Sequence, residues 1–171
     1  RPGALLPLDT HNIIQHRYRR AARLAEGKTV LEVGCGSAIG LSYLAQRASK
    51  AIGLEYCRKN IELIEANYSN QLSIVQGDGQ DLPFADNNFD MIVALAMIYY
   101  MNLDKFLKST QRVLRPGGML FFCTSNKDVP GFVPALYTTR YYSIPELRTK
   151  LEALGYACTF YGAFPSSKSP F

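Results

Sequence analysis

The feature that most constrains this chain is a glycine-rich bend placed directly behind a short, mostly β-branched run. Thr29-Val30-Leu31-Glu32-Val33 leads into Gly34-Cys35-Gly36-Ser37-Ala38-Ile39-Gly40. Such a run ending in glycines reads as a buried strand. Glycine lets the backbone approach a ligand closely and adopt positive φ, and the amides that open the following helix offer donors to a polar or anionic group. In an open parallel sheet the bend falls at the carboxyl end of its strand, where crevices form, so a ligand is expected there.

By itself the bend serves several ligand classes. The next strand, Ala51-Ile52-Gly53-Leu54-Glu55, narrows them, because it ends in a carboxylate roughly 20 residues past the glycines, the spacing of an acid that accepts hydrogen bonds from both ribose hydroxyls. A nucleoside-containing cofactor follows. The plainer reading of Glu55, an exposed strand-end acid, is disfavoured by the bend before it. Glu32 alternates with Leu31 and Val33, and a carboxylate in a mostly buried strand is costly unless it is paired or hydrogen-bonded.

The remainder alternates strand and helix. An amphipathic helix over 10–25 puts Ile14, Tyr18, Ala21 and Ala25 on one side, with Tyr18 facing inward. Strands are expected near 51–55, 72–76, 89–95 and 118–124, and helices near 57–68 and 104–114. Ser143-Ile144-Pro145-Glu146 has the form of a capping box opening a helix to Leu154. A last strand is expected over 156–163, after a long loop rich in proline, glycine and tyrosine. This alternation implies an α/β fold, a doubly wound, mostly parallel sheet with helices on both faces.

The chain has 171 residues, 47% apolar and 19% charged, which suits one domain able to bury its own core. Within it, 1–27 reads as a helical cap, 28–124 as the ligand-binding core, and 125–171 as loop, helix and last strand. The net charge of +5 is modest. Its one concentration, Arg17, Arg19, Arg20 and Arg23, suits a solvated helix face better than a phosphate-binding stripe. Cys35, Cys57, Cys123 and Cys158 form no C-x-x-C pair and have no nearby histidine, so no metal site is expected and free thiols in a reducing compartment are. No apolar run reaches the length of about 18 residues needed to cross a bilayer, and no segment resembles a signal peptide, so a cytoplasmic protein without membrane contact is expected. The sequence sets no oligomeric state.

Four motifs in order resemble those of the class I S-adenosylmethionine-dependent methyltransferases, small-molecule type, over most of 29–163. They are Leu31-Glu32-Val33-Gly34-Cys35-Gly36, Gly77-Asp78-Gly79-Gln80-Asp81-Leu82-Pro83-Phe84, Phe89-Asp90-Met91-Ile92-Val93, and Arg112-Val113-Leu114-Arg115-Pro116-Gly117-Gly118. The resemblance implies a Rossmann-like sheet with antiparallel strands at its C-terminal edge. It also implies S-adenosylmethionine as cofactor and S-adenosylhomocysteine as product. Carried over by position, Gly34, Cys35 and Gly36 would line the methionine part and Glu32 would orient its amino group. Glu55 would hold the ribose, Tyr56 would lie against the adenine, and Asp78 with the Gly79 amide would read the adenine edge. Ala94 and Leu95 would offer backbone contacts, and Tyr18 would reach the carboxylate. One departure is Ala38, where many members have a third glycine.

Methyl transfer from a sulfonium is an in-line displacement that asks the protein mainly to position the acceptor and exclude water. Where the acceptor carries a proton, a base is needed, and His11 and His16 are the two histidines available. Tyr99 and Tyr100 follow the fourth strand, where this family's acceptor sits, and are candidate substrate residues or ordinary cleft packing. Ala94 to Tyr100 contain no N-P-P-Y or D-P-P-Y type motif, which argues against a nucleic-acid substrate; a small, partly apolar acceptor is expected. Two rivals share the fold: a nicotinamide-dependent oxidoreductase, which lacks here a tyrosine followed four residues later by lysine, and a non-catalytic cofactor- or partner-binding module.

Overall fold

The computed structural model describes residues 8–68 and 71–162. Helix α1 (Leu8–Leu24) leads into strand β1 (Thr29–Val33), then α2 (Ile39–Ala45), β2 (Lys50–Glu55), α3 (Arg58–Tyr68), β3 (Ser73–Gln76) and β4 (Phe89–Leu95). A 3₁₀ turn at Ile98–Tyr100 follows, then α4 (Leu103–Val113), β5 (Leu114–Cys123) and α5 (Ile144–Glu152). The five strands form one sheet in the order β3-β2-β1-β4-β5, and every pairing in it is parallel.

Strand alternation sorts the core into two faces. Met91 and Val93 of β4 point, with Val30 of β1, toward Ala21, Ala22 and Ala25 of α1 and Leu44 of α2. Ile92 and Ala94 point, with Leu31 and Val33, toward Phe106 and Leu107 of α4 and Leu147 and Leu151 of α5. Helices therefore cover both faces, as the period-two burial of parallel strands requires. Glu32 falls on the α1 side by the same alternation. Helix α4 buries Leu103, Phe106, Leu107, Thr110 and Val113, and Asn102 caps it by accepting from the Lys105 amide. The expected capping box is present: Ser143 accepts from the Glu146 amide while Glu146 accepts from the Ser143 amide.

Two expectations are corrected. Residues 156–162 pair with no strand, so the last strand expected over 156–163 is not formed in the described part, Ala163 lying outside it. Tyr156, Cys158 and Phe160 do pack on the core, so the alternation that suggested a strand reports an extended segment with one apolar side but no ladder partner. Second, β5 starts at Leu114, within the predicted helix end. Its register jumps from Phe89↔Leu114 to Met91↔Met119, so the Arg115-Pro116-Gly117-Gly118 stretch is an excursion in the strand, not a turn before it. Among the described residues no helix is long and apolar enough to cross a membrane.

Candidate functional site

Chain order runs outward in opposite directions from β1 and β4, which lie side by side. Connections above such a pair leave to opposite sides, and a crevice opens between them. Here it is a cleft of about 470 Å³, walled by Val33 and Gly34 at the end of β1, Leu54 to Tyr56 at the end of β2, Gly77 to Gln80 after β3, and Leu95, Ala96, Met97, Tyr100 and Met101 at and beyond the end of β4.

The bend at the end of β1 is tied to β2. The amides of Gly34 and Cys35 both donate to the Leu54 carbonyl, at 2.8 and 3.2 Å, and Gly34 takes a φ of 73°. The Gly36 amide donates to Glu55 Oε2 at 2.8 Å, and the Cys57 amide donates to Glu55 Oε1 at 2.8 Å. Glu55 is 7% exposed, with one backbone donor on each oxygen. A carboxylate oxygen accepts more than one hydrogen bond, so both oxygens keep acceptor capacity for a diol. Asp78 accepts from the Gln80 amide at 2.8 Å, and Gln80 Oε1 accepts from the Asn102 amide at 2.8 Å, joining the cleft wall to the cap of α4. A Cβ on Gly79 would stand 2.8 Å from Val33 Cγ1, so no side chain fits there unless the wall shifts.

Behind the bend, Tyr18 donates from its hydroxyl to Glu32 Oε1, and Glu32 is 1% exposed. Glu32 Oε2 is buried with no hydrogen-bond partner among the described residues. Burial pushes the Glu32 carboxyl up to about 7, with the Tyr18 hydrogen bond opposing. Burial and then the nearby Glu32 charge hold the Tyr18 hydroxyl well above the usual phenol range. The tyrosine ring rests on Gly40, where a Cβ would lie 1.8 Å from Tyr18 Cζ. Burial, reinforced by Glu32 and Glu55, pushes the Cys35 thiol up to about 12. Ala38, in place of the family's glycine, adopts a φ of 59° ahead of α2 and is fully buried.

Of the residues singled out from sequence, Gly34, Glu55, Tyr56, Asp78, Gly79, Leu95 and Tyr100 line the cleft. Cys35 and Gly36 belong to the bend without lining the cleft, and Tyr18 and Glu32 lie behind it. Ala94 is fully buried against the α4 face and is not on the cleft wall, where Leu95 and Ala96 lie. Tyr99 is not on the cleft wall: its ring stacks on Tyr141 at 4.8 Å, and its carbonyl accepts from the Thr139 amide at 2.7 Å, anchoring the long loop. His16 is exposed on α1, and the His11 side chain lies outside the described residues. Sequence reasoning missed Gln80, Met97 and Met101, whose signal was only their place just after β3 and β4. No three His, Cys, Asp or Glu side chains converge among the described residues.

Residues 31–122 match the family described as a methyltransferase domain. The chain is 36% identical over 75% of its length to a fatty-acid O-methyltransferase of Mycolicibacterium smegmatis, spanning 49% of that protein. It is 39% identical over 61% of its length to phthiotriol/phenolphthiotriol dimycocerosates methyltransferase 1 of Mycobacterium ulcerans, spanning 41% of it. The chain thus covers about half or less of these relatives. A solved SAM-dependent methyltransferase of Aquifex aeolicus shares the fold at a TM-score of 0.66 and 20% identity, over 87% of this chain and 89% of that one. With the four motifs, the parallel sheet and the match over 31–122 in agreement, the chain belongs to the methyltransferase-domain family.

Proposed function

We propose that the chain carries out S-adenosylmethionine-dependent methyl transfer to a small, partly apolar acceptor. The observation that carries this reading is Glu55: a buried carboxylate at the tip of β2, pinned by two backbone amides with acceptor capacity to spare, on the wall of a cleft. The cofactor fits what the residues present. Its ribose hydroxyls suit Glu55, its adenine suits the exposed Tyr56 ring with Asp78 and the Gly79 amide, and its amino group suits the orphaned Glu32 Oε2. Gly34, Cys35 and Gly36 bring bare backbone alongside the amino-acid tail.

When bound, the cofactor supplies a methyl group already activated on a sulfonium. The chain's own task is positional. The pinned Glu55 needs no reorganisation on binding, and Tyr18 holds Glu32 in one rotamer so that its free oxygen stays aimed. Leu95, Met97, Tyr100 and Met101 exclude water from the β4 side, where the acceptor would lie. Orientation of this kind supplies roughly 7–11 kcal/mol in favourable cases. The compounds after which two relatives are named, a fatty acid in one and phthiotriol lipids in another, support an apolar acceptor.

Thermal denaturation with candidate ligands tests the reading. S-adenosylhomocysteine at about 100 times its dissociation constant should stabilise the protein by about 2.7 kcal/mol, and NADH should not. Protection by NADH alone overturns the proposal. Transfer of label from methyl-labelled cofactor to a panel of lipid and aromatic acceptors then tests turnover.

A further inference from the structure

Helix α1 holds a second buried polar atom with nothing to bind. Arg17 Nε is shut off from solvent and has no hydrogen-bond partner, and the guanidinium makes no ion pair among the described residues. Arg17 precedes Ala21 by one helical turn, so the two share a face, and Ala21 packs on Met91 and Val93 of β4. Helix α1 ends where β1 begins, so it runs against the strands, and one turn earlier lies nearer the carboxyl ends of β4 and β5. The electrostatics agree with that placement. Burial raises the proton affinities of Tyr18, Tyr99 and Cys123, and the Arg17 charge pulls all three back.

Two orphaned atoms of opposite character, Arg17 Nε on the residue before Tyr18 and Glu32 Oε2 on its hydrogen-bond partner, thus both neighbour Tyr18. A donor on a charged group that is desolvated and unpaired costs free energy, and an anion recovers it. The guanidinium fork matches a planar carboxylate. Resting on the functional reading above, we propose that Arg17 is a carboxylate-binding residue of this site, taking the carboxylate either of the methyl donor's amino-acid tail or of an acidic acceptor.

Calorimetry on the intact protein tests this with two ligand pairs. S-adenosylhomocysteine is compared with 5′-methylthioadenosine, which lacks the amino-acid tail. Decanoate is compared with methyl decanoate, each with S-adenosylhomocysteine saturating. If the donor's carboxylate is bound, Arg17→Gln weakens S-adenosylhomocysteine about tenfold or more and leaves 5′-methylthioadenosine unchanged. If the acceptor's is bound, the wild-type protein prefers decanoate over its ester by a similar factor, and Arg17→Gln removes the preference. Arg17→Lys should recover part of either effect, which a purely structural role would not predict.

The proposal is overturned if Arg17→Gln alters neither pair. Should that variant not fold, the wild-type protein still decides, because equal affinity for decanoate and its ester together with an Arg17→Lys variant that binds S-adenosylhomocysteine unchanged also overturns it. Failure of the functional reading looks different: the wild-type protein binds neither adenosine ligand.

Discussion

Tyr18 and Glu32, 14 positions apart, meet in a 2.6 Å hydrogen bond that joins the first helix to the first strand of the sheet. Burial makes the acid titrate unlike an exposed one, and the bond from Tyr18 opposes that shift without cancelling it. Burial holds the folded-state carboxyl at about 7 against 4.5 for the free acid, so the folded chain keeps a proton that the unfolded chain has lost. Stability from this group is fully present below pH 4.5 and declines as pH rises through about 7, by on the order of 3 kcal/mol. Urea unfolding from pH 4.5 to 8 should show this fall, and Glu32→Gln should flatten it. Tyr18→Phe should cost about 1–3 kcal/mol, more at pH 8 than at pH 5.

Cofactor binding should draw on the same proton. An ammonium group beside Glu32 favours the carboxylate, so binding near pH 6 should release a proton and affinity should rise with pH up to about 7. Calorimetry in buffers of different ionisation enthalpy measures the release. An equal apparent enthalpy in all buffers would separate Glu32 from the binding site.

Replacing Glu55 with alanine removes the acceptor for the Gly36 and Cys57 amides as well as for the expected diol. Affinity for S-adenosylhomocysteine should fall by at least about 100-fold, because two lost hydrogen bonds to a charged group cost roughly 1.5–3 kcal/mol each. Glu55→Gln, which keeps one oxygen, should lose less. Unchanged affinity in the alanine variant would rule out the ribose role.

Gly40→Ala places a methyl inside the Tyr18 ring, 1.8 Å from Cζ. The ring has to leave, breaking its bond to Glu32, and a loss of about 2–4 kcal/mol is expected from overpacking with a broken buried hydrogen bond. Gly36→Ala meets nothing within 4 Å and bears only the strain of a φ of 57°, about 1–2 kcal/mol. Denaturant midpoints should rank the two in that order.

Glu146 gathers Lys127 at 2.7 Å and Arg140 at 3.0 Å while capping α5, so it fastens both ends of the long loop. Its carboxyl is held down to about 2 by Lys127 and the Ser143 amide, so the fastening persists until strongly acidic pH. Glu146→Gln should speed amide exchange over 127–142 and raise KM for the acceptor while leaving cofactor affinity intact.

Much of this was legible because the signals were local. The bend after Val33, the acid at Glu55 and the Ser143 capping box each depend on a few adjacent residues and an obligatory backbone geometry. The segment after Gly155 misled because alternation reports which side chains are apolar and says nothing of whether another strand is present to pair. Arg17 was illegible for a related reason: four arginines on one helix look alike until the packing of Ala21 shows which one points at the sheet. Tyr99 and Tyr100 are adjacent in sequence, yet one faces the cleft and the other holds a loop, a distinction made only by the 3₁₀ turn.

The crevice draws its two banks from different stretches of the chain. Val33 to Gln80 supply one bank, and Leu95 to Met101 supply the opposite one. On the proposed reading, that separation lets changes at Met97, Tyr100 and Met101, which lie between β4 and α4, retune the acceptor side without touching Glu55 or Asp78 or rebuilding the core.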